Sequence, residues 1–151
     1  VVNRFSASLI EVGILYTVFC IVAAVFKIPA GKLVDLYGKE KIFFLSVMIG
    51  ALCSLSYIFA SNLLQLYIIE FFFGIAYALQ RPSFLTLIVD LSHSNERGLF
   101  LGLSESAYDI ATAAAALFSA IIVSQAGFEP LFLLSSGCQV ISGFFILELK
   151  K

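Results

Sequence analysis

Five apolar stretches, each about as long as a membrane span, stand a few residues apart along this chain and leave it few folds to adopt. They cover approximately residues 8–29, 42–60, 63–89, 98–123 and 128–148. About 20 consecutive apolar residues in helical form cross the hydrocarbon core of a bilayer. A β-barrel is excluded, because its strands are shorter and alternate in polarity, and these runs do neither. With 61% hydrophobic and 13% charged residues, the chain carries more apolar surface than one water-soluble core can hide. The expected fold class is therefore an all-α membrane protein of five transmembrane helices, with the lipid bilayer as solvent. Each helix satisfies its own backbone groups. The separators are a glycine-punctuated loop over residues 31–41, Ser61-Asn62, and residues 90–97 and 124–127. Connections this short predict antiparallel neighbouring spans, a helical hairpin array.

Charge sets orientation and removes several function classes. A net charge of −1 offers no basic excess for phosphates, so no nucleic-acid partner is expected. Lysines and arginines near span ends mark the cytoplasmic side. The first loop holds Lys32, Lys39 and Lys41, with Lys27 just before it; Arg97 lies in the third loop and Lys150 and Lys151 at the end. Only Arg4 lies opposite. The glycine loop and C-terminus are thus expected in the cytoplasm and the N-terminus outside. Residue 1 is Val and no secretion signal precedes the first span, so the chain reads as a fragment that lacks at least one earlier helix. Cys20, Cys53 and Cys138 are odd in number, far apart and set in apolar runs, which reads as small buried hydrophobes rather than a disulfide framework or metal site. His93 has no second ligand at useful spacing. No cofactor or metal is expected, and without clustered His, Cys or paired acids at a membrane face the chain does not read as an enzyme.

The first loop is Gly31-Lys32-Leu33-Val34-Asp35-Leu36-Tyr37-Gly38-Lys39-Glu40-Lys41. Glycines at both ends suit a tight reversal, and Asp35 needs a partner, for which Lys39 and Lys41 are near, while Asp90 and Arg97 at the neighbouring mouth extend a cluster of alternating charge. The segment resembles the signature Gly-x-Leu-Ala-Asp-Arg-x-Gly-Arg-Lys of the major facilitator superfamily, with Gly31, Leu33, Asp35, Gly38 and Lys39 at matching positions. Gly74, Pro82, Asp90, the Glu96-Arg97-Gly98 triplet, and Gly127-Phe128 with Phe132 continue the resemblance over essentially the whole chain. It implies two six-helix halves built from inverted three-helix repeats, of which this chain would be the last five helices of one half, completed by the missing helices of the same transporter. Leu36 replaces the usual Arg, Glu70 stands where first halves usually carry an Arg, and Ala115-Ala116 stands where antiporter first halves often have Gly-Pro. These departures, and an end just after a span, favour the C-terminal half. The resemblance further implies that charges around the loop latch one state of the transporter; the alternative is a solvated loop whose lysines only set topology.

Charges inside the spans carry the functional information. Each costs roughly 2.5–3.5 kcal/mol at a helix centre on insertion scales, so each is expected to face the bundle interior and find a partner. Glu70, Gly74, Tyr77 and Arg81 fall on one stripe of the third span, and Gly102, Glu105, Asp109 and Thr112 on one stripe of the fourth. Arg81 lies eight residues before the end of its span and Glu105 seven residues into the next, which places them at nearly one depth. Arg81 is expected to face Glu105 or Asp109, with Asp109 nearer the midplane. Such a pair admits three roles: a proton relay, in which Arg81 approaches and leaves a carboxylate; a fixed interhelical tie; or a seat for an anionic solute. Tyr77, Tyr108 and Thr112 are candidates to line a cavity, Pro82 offers a bending point, and Ala111 with Ala113 to Ala116 offers a surface for close helix approach. The function expected is secondary active transport of a small solute by alternating access, with proton coupling as one of the roles open to this pair; the alternative is a non-transporting scaffold or sensor of the same fold.

Overall fold

The computed structural model describes residues 8–93 and 95–148; Arg4, Lys150 and Lys151, which bear on orientation, lie outside them. It contains five helices: α1 (Leu9–Tyr37), α2 (Lys39–Phe59), α3 (Leu63–Leu91), α4 (Arg97–Ala126) and α5 (Phe128–Glu148). All five are long and apolar enough to cross a membrane, and the protein is a multi-pass membrane protein. Local chemistry sets several ends. Ser8 and Glu11 form a capping box at the start of α1. Asn62 caps α3 by accepting from the Gln65 amide at 2.9 Å.

The loop expected over residues 31–41 is not a loop. Helix α1 continues through Pro29 and Gly31 to Tyr37, and α2 begins at Lys39, so the chain turns at Gly38 alone, with φ 90° and ψ 142°. Proline removes one helical hydrogen bond, and the following turns replace that loss by burial: Ala30 and Val34 pack with Ile42 and Leu79. Gly31 is helical with open space around it, whereas Gly38 occupies backbone geometry in which another residue would carry about 1–3 kcal/mol of strain. Gly127 (φ 83°) makes the equally abrupt junction between α4 and α5.

Sequence neighbours are not the main packing partners. Helix α3 is the hub, packed along α1 on one side and α2 on the other, and α2 also packs along α5. Helices α1 and α2 barely touch, and α3 and α4 touch only thinly. Of the consecutive pairs, only α2 and α3 make an extensive hairpin. A one-residue junction lets two helices splay, and close approach then goes to faces with small residues. At Gly74 a Cβ atom would stand 3.0 Å from the Phe19 carbonyl oxygen and from Val22, so α1 crosses α3 there nearly backbone to backbone. Gly143 makes room for the side chains of Val47, Met48 and Phe44 of α2, beside a Gln139 amide that donates to Ser54 at 3.2 Å and Ser135 at 3.3 Å.

Contacts advance together along α1 and α3: Leu15 clusters with Leu66 and Ile69, Val22 with Gly74, Ala30 and Val34 with Leu79. The two helices therefore run parallel. Pro82 does not interrupt α3. Helix α4 has no buried residue, and of the alanine patch at 111 and 113–116 only Ala114 is even half-buried.

Candidate functional site

An ion pair crosses the thin seam between α3 and α4. The Arg81 Nη2 donates to both oxygens of Glu105 at 3.0 Å, and the guanidinium lies over the Tyr108 ring, 4.9 Å from its centroid. Arg81 is ten residues from the end of α3 and Glu105 eight from the start of α4, roughly 15 and 12 Å at 1.5 Å per residue. The equal depth expected from the sequence thus survives the longer helices. The second guanidinium nitrogen, Nη1, is buried and lacks an acceptor. Asp109, the other expected partner, is exposed and forms no ion pair among the described residues. Thr112 is exposed and gives its hydroxyl to the Tyr108 carbonyl of its own helix at 2.8 Å. Only one turn of the α4 stripe reaches α3, because the two helices meet so briefly.

Aromatic rings extend from Arg81 towards the other end of α3. Phe43, Tyr77, Gln80, Arg81, Phe84 and Tyr108 line a cavity of about 120 Å³. Phe19 packs on Tyr77 with centroids 5.5 Å apart and on Phe73 at 5.9 Å. A second cavity, about 180 Å³, is lined by Tyr16, Phe19, Tyr57, Glu70 and Phe73. There the Tyr57 hydroxyl donates to Glu70 at 2.7 Å, so Glu70 and Arg81, on one stripe, serve two different places.

Sequence reasoning misses two of these groups. Tyr57 carries no local signal, because nothing in its surrounding pattern shows that α2 turns it towards Glu70. Lys27 counts by sequence with the loop lysines, yet it lies ten residues inside α1, with its ammonium 5.4 Å from the Tyr77 ring centroid. A lysine within an apolar run is the signal that could have found it.

At the Gly38 end, the expected charge cluster contracts to one strong contact. Lys39, at the start of α2, pairs with Asp90, near the end of α3, and stands 3.9 Å from Glu40. Asp35, Lys41 and Arg97 are exposed and enter no ion pair among the described residues, so Asp35 is solvated rather than partnered. Gly31 and Leu33 lie within α1. Cys20, Cys53 and Cys138 are free, but only Cys53 is buried; the other two project from the exposed surface, contrary to the expectation of buried thiols. His93 is exposed.

The family profile described as the Major Facilitator Superfamily matches residues 1–150. The chain is 30% identical over 132 residues to the multidrug resistance protein MdtG of Klebsiella pneumoniae (strain 342), an alignment covering 86% of this chain and 32% of that protein. It is 32% identical over 117 residues to MdtG of Escherichia coli (strain K12 / DH10B), covering 77% and 29%. To the niacin transporter NiaP of Acinetobacter baylyi it is 30% identical over 105 residues, covering 70% and 24%. The chain thus spans about a third or less of the length of these curated relatives.

Proposed function

Because the chain belongs to the major facilitator superfamily, we propose that it supplies five helices of one half of a secondary transporter, which carries a small solute across the cell membrane by alternating access. The remaining helices of the same transporter cover the open face of α4, and the Gly38 junction lies on the cytoplasmic side. The relatives carry names as different as multidrug resistance and niacin transport, so they single out no solute. The carrying observation is the Arg81–Glu105 pair across the thin seam between α3 and α4. Packed helices separate only at large cost, whereas two helices tied mainly by one ion pair can part and rejoin. In an apolar setting, a carboxylate that loses its cation takes up a proton and releases it when the cation returns. Glu105 thereby couples proton movement to the movement of α4.

Solute uptake by the intact protein in proteoliposomes, with and without an imposed pH gradient, tests this. Glu105→Gln is expected to abolish gradient-driven accumulation, a loss of at least about tenfold, while solute exchange without a gradient persists. Unchanged accumulation in Glu105→Gln removes the proton role. The stacking of Arg81 on Tyr108 favours a second reading, a fixed clamp in a non-transporting scaffold or sensor; absence of flux for every solute in a broad panel would support it.

The Lys39–Asp90 pair acts in this scheme as a cytoplasmic latch that breaks when the halves rock. Lys39→Asp is expected to slow uptake several-fold, and adding Asp90→Lys to restore it. If the double variant stays as slow as the single, the pair has no latch role.

A further inference from the structure

We propose that the cavity beside Arg81 binds the acidic headgroup of a flat aromatic monoanion. The inference rests on the transport reading for the solute's route, but its binding chemistry stands on the site itself. Arg81 uses one nitrogen for Glu105 and leaves Nη1 buried without an acceptor, and a buried, unsatisfied charged donor is costly. A carboxylate arriving in the cavity that Arg81 lines supplies that acceptor through a charge-assisted hydrogen bond to Nη1. Lys27, whose ammonium lies 5.4 Å from the ring centroid of Tyr77, a residue of the cavity wall, adds a second cation nearby, with no carboxylate partner among the described residues. Around the cavity two cations thus stand against one paired carboxylate, Glu105, which leaves a positive charge for a monoanion to neutralise.

The walls specify the rest of the ligand. Phe43, Tyr77, Phe84 and Tyr108 present four aromatic rings, and Gln80 one amide; rings accept a flat partner in offset or edge-on contact. At about 120 Å³, the cavity matches about four water volumes, enough for an acid group and the ring atoms next to it. The Glu70 cavity has rings of its own, but its charge is negative and its carboxylate already accepts from Tyr57.

Radiolabelled benzoate, compared with neutral benzamide and cationic benzamidine, probes the site by equilibrium binding to the intact, purified protein. Benzoate is expected to bind at least tenfold more tightly than benzamide. Lys27→Gln, at an exposed residue, should weaken benzoate about tenfold and leave benzamide unchanged. Glu105→Gln should tighten benzoate several-fold, because it frees the rest of the Arg81 guanidinium; a merely structural role for the pair would not produce tighter binding. Equal binding of benzoate and benzamide overturns the proposal, as it would if Asp109, one turn beyond Glu105, served as the counter-ion of Lys27. Preference for benzamidine also overturns it and moves recognition to Glu70. Benzoate binding without any flux would keep this inference and sink the transport reading; flux of other solutes without benzoate binding would do the reverse.

Discussion

Arg81→Ala is expected to reduce solute transport by the intact protein to background. The guanidinium is the tie between α3 and α4, holds both Glu105 oxygens at 3.0 Å and covers the Tyr108 ring. Its removal strands a carboxylate in an apolar span, where an unpaired charge costs roughly 2.5–3.5 kcal/mol at the helix centre. Without that tie α4 loses its main hold on α3, and the coupling proposed for the pair is lost with it. Lysine should rescue poorly, because an ammonium that meets the carboxylate cannot also lie as a flat plane over the Tyr108 ring. Combining Arg81→Ala with Glu105→Ala removes the stranded charge, so folded protein should recover while transport does not. Size-exclusion profiles and proteoliposome flux separate the two effects. Transport by Arg81→Ala at the parental rate would refute this role.

Gly74→Leu is expected to prevent folding outright. A Cβ alone would come within 3.0 Å of the Phe19 carbonyl oxygen and of Val22. Backbone oxygen cannot swing aside as a long side chain can, so α1 and α3 must separate. Gly74→Ala should then cost about 1–3 kcal/mol, as for other overpacked sites, and Gly74→Leu should forfeit the α1–α3 interface, among the most extensive in the bundle. Helices in lipid gain nothing from hiding apolar surface from water, so packing lost at such a contact has no substitute. Thermal unfolding in detergent micelles should show a lowered midpoint for Gly74→Ala and no cooperative transition for Gly74→Leu. Gly31→Ala is the control: Gly31 is helical with open space around it, and its midpoint should not fall, since alanine is the better helix former. An unchanged midpoint for Gly74→Leu would mean that the two helices do not meet there.

Much of the site is legible in the order of residues alone. Arg81 and Glu105 can be matched because helical rise is constant and both sit at countable distances from a shared turn. Counting fails sideways: it leaves Asp109 level with Glu105 as a partner, since depth does not say where the short α3–α4 seam lies. Lys27 shows the complementary error. Its depth follows from where α1 ends, and α1 ends at Tyr37 because Ala30 and Val34 find Ile42 and Leu79, contacts that involve three helices. Tyr57 meets Glu70 through the relative rotation of α2 and α3, to which neither local pattern refers.

The number of helices, their membrane character and the family they belong to are written in the chain, since run length, apolarity and motif spacing are properties of residues in order. Which helices touch is not. Tertiary packing chose α3 as the hub, moved the turn to Gly38 alone, kept α1 from α2, paired Arg81 with Glu105 and left Asp109 outside. The physical reason is that every helix here is apolar on most of its surface, so hydrophobic patterning cannot tell a lipid-facing side from a packed one. In such a chain, the close fit of small residues and a few charges selects the contacts, and that fit exists only between helices.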